Sequence, residues 1–197
     1  MKKVFQKHNY FCDYSTLPSV RITCGWCDSV ISPNKGYFVK RDSSYSSTEV
    51  GYIYICPNCN QIILYNIYQD EVFPLGKFGK NINKLPEQVS AIYNEIRECY
   101  SIGAFTSIGL LGRKLLMHVA VQEGAEEDKA FWYYVNYLND NGYVPKKSKH
   151  LLEFLRSQGN DANHFVQILQ KEEAEKIISF IELILTFIYE YADDEQV

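Results

Sequence analysis

Cys24-Gly25-Trp26-Cys27 and Cys56-Pro57-Asn58-Cys59 are two copies of one four-residue turn, with residues 28–55 between them. A C-x2-C turn sets two thiolates on one side of a metal ion, and two such turns complete a tetrahedral shell. In the second copy Pro presets the turn and Asn tolerates positive φ. The spacing therefore predicts a Zn2+ site made by Cys24, Cys27, Cys56 and Cys59. Four cysteines leave no open position for water or substrate, so the metal is expected to be structural. Such a site contributes roughly 10–16 kcal/mol of apparent binding energy to a small module that cannot fold alone. The competing use of CxxC, dithiol redox chemistry, needs a thioredoxin-like βαβ pattern around one pair, and neither has it. Cys12 and Cys99 are left over. Cys99 falls in a helical pattern as a small core residue, and Cys12 is open.

Outward from these turns the pattern is β-rich over residues 1–76. Gly36 to Lys40 forms a short strand, Gly51 to Ile55 runs into the second turn, and Gln61 to Tyr68 runs out of it. A strand on each side of a CxxC turn is a hairpin whose register the metal pins. Arg41 to Thr48, rich in Ser and Thr, reads as a polar loop. Residues 77–86 lose all periodicity and read as a linker.

After Pro86 the period becomes helical. Glu87–Tyr100 places Val89, Ile92, Tyr93 and Ile96 on one face and is broken by Ser101-Ile-Gly103. Ala104–Val121 is longer, is ended by Gly124, and carries Gly109 and Gly112 in its interior, which a helix tolerates where a neighbour packs close. Asp128–Asn139 stops at Asn141-Gly142, Lys147–Ser157 stops at Gly159-Asn160, and Glu172–Tyr191 is apolar around nearly its whole circumference. A helix of that last kind is central or lies in an interface, and homodimerisation through it is the expectation. The predicted architecture is α+β: a small β-rich zinc-ribbon-like module (1–76), a linker (77–86) and an all-α bundle of about five helices (87–197).

The 197 residues carry a net charge of −4, which hides two unlike halves. Residues 1–86 hold 10 Lys and Arg against 6 Asp and Glu, or +4; residues 87–197 hold 10 against 18, or −8. With 46% hydrophobic and 22% charged residues the chain has the composition of a globular protein. Lys2 and Lys3 imitate the start of a leader, but Gln6, Lys7, His8 and Asn9 break any apolar stretch. Glu182 and Glu190 break the most apolar run. A cytoplasmic protein with no membrane span is expected, and its cysteines are then not a disulfide framework. There is no P-loop, G-x-G-x-x-G, H-E-x-x-H or nucleophile elbow to support an NTPase, dinucleotide enzyme, zincin or serine hydrolase.

The most unusual local string is Arg156-Ser-Gln-Gly-Asn160-Asp-Ala-Asn-His164. One reading is a helix stop and restart, with Gly159 closing one helix, Asn160 capping the next and His164 half-buried. The other brings Arg156, Asn160 and His164 together, with Arg as a fixed charge for phosphate, His as general acid or base, and Asn orienting either. That set suits a metal-independent ribonuclease, in which a 2′-hydroxyl attacks the adjacent phosphate.

The CxxC and CPNC turns, Leu85-Pro86 before a helix, Leu111-Gly-Arg-Lys-Leu-Leu116 and Leu155-Arg-Ser-Gln-Gly-Asn-Asp-Ala-Asn-His164 together resemble the bacterial domain of unknown function 4145 family, over roughly residues 20–190. That family is assigned to the HEPN-like helical bundles (higher eukaryotes and prokaryotes nucleotide-binding). The resemblance implies a bundle that is often dimeric and found in phage-defence, restriction and toxin settings. Many HEPN relatives are ribonucleases whose R-x4–6-H motif pairs across a dimer; here seven residues separate Arg156 from His164. The resemblance also marks Arg113, either as a phosphate contact or, more plainly, as a solvated or ion-paired helix residue. Three functions follow as expectations: an RNA-binding or RNA-cleaving protein of defence or toxin systems; a non-catalytic dimer whose zinc module contacts a partner protein; and a sensor of a small ligand or nucleotide.

Overall fold

The computed structural model describes residues 9–43, 46–145, 148–157 and 168–191. Within it the chain forms two compact units, residues 1–77 with 101–103, and residues 78–100 with 104–197. The protein is α+β, an antiparallel sheet region followed by helices.

The first unit holds β1 (Asn9–Thr16), β2 (Ile22–Thr23), β3 (Val30–Ile31), β4 (Lys35–Ser43), β5 (Ser46–Ile55), β6 (Ile62–Asn66) and β7 (Glu71–Phe73). Five of these make one antiparallel sheet in the order β1-β4-β5-β6-β7, and β2 pairs with β3. Alternation divides the sheet's residues between two faces. Phe38, Tyr52, Tyr65 and Val72 stand in one register row of the inner face, with Tyr54 and Ile63 beside them. Tyr52 and Tyr65 stack at 5.9 Å, and Phe38 meets Tyr52 edge-on at 5.7 Å. This face packs on Leu17, Cys24, Ile31 and Cys56, so the cysteine turns are part of the core.

The polar run Arg41–Thr48, expected as a loop, is paired on both sides of residues 44–45. β4 continues to Ser43 and β5 begins at Ser46, with Arg41 opposite Thr48, Asp42 opposite Ser47 and Ser43 opposite Ser46. Ladder bonds are made by the backbone, so polar Ser and Thr side chains do not prevent pairing.

The second unit holds α1 (Glu87–Ser101, whose last residue belongs to the first unit), α2 (Phe105–Gln122), α3 (Phe131–Asp140), α4 (Lys149–Ser157) and α5 (Lys171–Leu185), which continues as a π-helical turn over Thr186–Glu190. Val89, Tyr93, Ile96 and Tyr100 bury one face of α1. Gly103, Gly124 and Gly142 take positive φ at the breaks the sequence marks. A Cβ on Gly112 would lie 2.9 Å from Ile181 Cδ1, and one on Gly109 2.9 Å from Leu169 Cδ1, so the two glycines let those side chains approach α2. On α5, Ile177, Ile178, Phe180, Ile181, Ile184 and Leu185 are buried. Residues 78–83 are tied to the helices. Buried Arg97 donates to the Phe78 and Gly79 carbonyls, while Lys80 N and Asn83 N donate to Glu182 and Glu190. Among the described residues no helix is long and apolar enough to cross a membrane.

Candidate metal centre

The two cysteine turns are built alike. Cys24 O accepts from Asp28 N, and Cys56 O accepts from Asn60 N, each at 2.9 Å. Cys24 N donates to Ser29 O and Cys56 N to Gln61 O, again at 2.9 Å. The residue after each second cysteine turns left-handed, Asp28 at φ 63° and Asn60 at φ 58°. Positive φ thus falls on Asn60 and not on Asn58, because the chain reverses after the fourth residue of the turn. Gly25 is required by proximity, since a Cβ there would stand 2.3 Å from Leu75 O.

The four Sγ atoms all lie within 4.8 Å of one another. Cys24 Sγ is 3.8 Å from Cys59 Sγ, and Cys27 Sγ is 3.8 Å from Cys56 Sγ. A tetrahedron with Zn–S bonds of about 2.3 Å has S···S edges of about 3.8 Å. The donor set therefore fits a thiolate-bound ion of that size, and all four cysteines are free of disulfides. Among the described residues no other group of His, Cys, Asp and Glu converges in this way.

The sulfurs are electrostatically unlike. Burial pushes the Cys24 thiol up to about 12, against backbone hydrogen bonds from Cys27 and Trp26. Burial also raises Cys59. At Cys27 burial acts upward too, but hydrogen bonds from the Asn58 and Ser29 side chains, Ser29 backbone and Cys59 outweigh it and lower the thiol to about 6. Asn58 and Ser29 are residues that spacing alone does not mark. The signal in the sequence is only that a polar side chain occupies each position.

The remaining site residues lie in the helical unit. Arg113, on α2, sets its guanidinium carbon 4.5 Å from the centre of the Phe131 ring. The backbone of Arg156 is in the last turn of α4. Asn160 and His164 lie outside the described residues. His118, one turn beyond Lys114 on α2, has a buried Nε2 with no hydrogen-bond partner among the described residues. It lines an opening of about 500 Å³ with Lys114, Glu127, Asp128, Lys129 and Tyr134. The sequence carries no signal for this, because the lining comes together only when α2 meets the segment before α3.

Fold and centre define a two-part protein, a four-cysteine β module and a bundle of helices. Residues 94–196, more than half of the chain, match the family model described as Domain of unknown function (DUF4145). The chain belongs to that family. The cysteine turns lie outside the matched segment. No curated protein and no solved structure matches the chain.

Proposed function

We propose that the protein is a zinc-containing RNA-binding member of its family, with the metal structural and the β module contacting RNA. The observation that carries this reading is on the outer face of the sheet. Tyr14 and Tyr37 are register partners there, meeting edge-on at 5.5 Å, and Tyr14 is 55% exposed. Lys35 is exposed on the same face and donates to Thr16 Oγ1. Accessible rings stack on bases regardless of sequence, and a nearby ammonium pairs with phosphate. By the observed boundary, residues 1–77 hold 8 Lys and Arg against 6 Asp and Glu, or +2, and residues 78–197 hold 12 against 18, or −6, which favours the β module over the helices as the contacting part. Phe38, whose sequence suits stacking equally well, is packed on the inner core.

Cys24, Cys27, Cys56 and Cys59 would hold the Zn2+, which supplies fold stability and no reaction chemistry. The test is fluorescence anisotropy of labelled single-stranded RNA at several salt concentrations. Binding that weakens with salt and falls on Tyr14→Ala and Tyr37→Ala supports the reading. No binding at low salt rejects it.

RNA cleavage is the further activity proposed for the helical unit, in a phage-defence or toxin setting. The RNA 2′-oxygen would attack phosphorus as His164 takes its proton. Arg156 would offset charge on the phosphoryl oxygens and Asn160 would orient either group; the P–O5′ bond would break to leave a 2′,3′-cyclic phosphate, and the departing 5′-oxygen would take its proton from water. Metal-free incubation with mixed RNA tests it, with His164→Ala as the control that must abolish cleavage.

A non-catalytic homodimer is the second reading. Leu183 on α5, Phe187 in its π-helical extension and Tyr191 just past that extension recur every fourth residue, and all three are exposed. That stripe supports self-association of the helical unit.

A further inference from the structure

We infer that Cys59 is a site of oxidation by a hydroperoxide, and that this oxidation opens the metal centre by joining Cys59 to Cys24. The inference rests on the four-cysteine zinc reading above and is independent of RNA binding. Cys24 and Cys56, the first cysteine of each turn, are fully buried, whereas Cys27 and Cys59, the second of each, are half-buried. Of the four, Cys27 and Cys59 are therefore the ones within reach of a small oxidant. Cys59 stands between exposed Asn58 and Asn60.

The two accessible sulfurs differ in what they accept. Cys27 Sγ accepts from Asn58 Nδ2 at 3.4 Å and from the backbone and side chain of Ser29. Cys59 Sγ accepts from the Gln61 backbone, and among the described residues no side-chain amide or hydroxyl donates to it. Metal-binding cysteines are all thiolates, so reactivity among them follows nucleophilicity and access. A donor draws charge from a thiolate and lowers its nucleophilicity, which leaves Cys59 the faster to react. Cys24 Sγ, 3.8 Å away on the other turn, is placed to resolve it, as Cys56 Sγ is matched with Cys27.

The Cys59 thiolate attacks one peroxide oxygen. The S–O bond forms, the O–O bond breaks and hydroxide leaves. The Cys24 thiolate then attacks the sulfenic sulfur; the S–S bond forms, the S–O bond breaks and a second hydroxide leaves. Two thiolates lose two electrons to the peroxide, and both hydroxides take protons from solvent. The chain then offers two thiolates where a tetrahedral ion needs four ligands. Cys24 and Cys56 pack with Leu17, Ile31, Tyr54 and Ile63, so loss of the metal also loosens the core of the β unit.

The full chain, loaded with zinc and with its zinc content measured first, would be treated with millimolar hydrogen peroxide. A chromogenic chelator reads released zinc, peptide mapping after alkylation reads disulfides, and far-UV dichroism reads β content. The expected result is one zinc released per Cys24–Cys59 disulfide, with a loss of β signal that a thiol reductant and added zinc reverse. Asn58→Ala, mapped at saturating zinc, should add a Cys27–Cys56 disulfide, because it takes the amide donor from Cys27. Zinc held throughout, zinc released with another pairing or with no disulfide, or an Asn58→Ala map identical to that of the unaltered chain would overturn the inference and leave the zinc reading standing. A chain that carries no zinc before peroxide is added, and takes up none, would overturn both.

Discussion

Asn58 reaches from the second cysteine turn to the first, donating its side-chain amide to Cys27 Sγ at 3.4 Å and to Ser29 Oγ at 2.9 Å. It thus stabilises the thiolate form of a sulfur it does not neighbour in sequence. Groups that orient and polarise metal ligands are typically worth 10- to 100-fold in metal affinity. Asn58→Ala is expected to weaken zinc retention by roughly that factor, read as competition with a chromogenic chelator, while the far-UV spectrum of the zinc-saturated protein stays unchanged.

Gly25 and Gly112 both sit against neighbours, but the neighbours differ. At Gly25 an added methyl meets the Leu75 carbonyl oxygen at 2.3 Å and Pro74 ring carbons at 2.9 Å, none of them a free side-chain end. At Gly112 it meets Ile181 Cδ1 and Ile177 Cγ2, which can rotate. Gly25→Ala is expected to destabilise by about 3 kcal/mol and to loosen the metal. Gly112→Ala should cost less, because a gain in helix propensity of about 1 kcal/mol offsets the crowding. Thermal denaturation of the two variants checks the order.

Several tyrosines resist ionisation in the fold. Burial raises Tyr54 well above its ordinary value, with Tyr52 and Tyr65 adding to it, and its hydroxyl donates to Pro18 O at 2.6 Å. Burial and a hydrogen bond to Glu175 raise Tyr100, and burial with nearby Glu123 pushes Tyr189 up to about 12. A raised folded value means that the native state holds protons the unfolded chain releases near pH 10. The stabilisation is complete below about pH 10 and is lost as pH rises through the folded values. Phenolate absorbance should therefore show a group of tyrosines ionising together with unfolding above pH 10. A smooth titration of all tyrosines near pH 10 in folded protein would contradict this.

If Leu183, Phe187 and Tyr191 form a dimer seam, Phe187→Lys should shift the mass from dimer to monomer at micromolar concentration without lowering helicity. Light scattering after size exclusion reads it. A monomer in the unaltered protein would leave the stripe as ordinary exposed surface.

The cysteine turns were legible because two residues between thiols dictate a local geometry that needs no tertiary knowledge. The helices were legible because their apolar period and glycine stops are local too, and the ends of α2 and α3 lie where Gly124 and Asn141-Gly142 indicate. What the sequence hid is set by contact. Ser and Thr in the Arg41–Thr48 run looked like loop because their polarity reports solvent, not backbone pairing. Tyr37 and Phe38 are equivalent as residue types, and only the parity of β4 sends one outward and the other into the core.

Metal content of the purified chain tests the central claim most directly. Elemental analysis after gel filtration without chelator should give about one zinc per chain, and Cys56→Ser should lose both the metal and the β signal while keeping much of the helical signal. A folded, reduced chain that carries no zinc and takes up none when it is offered would contradict the account.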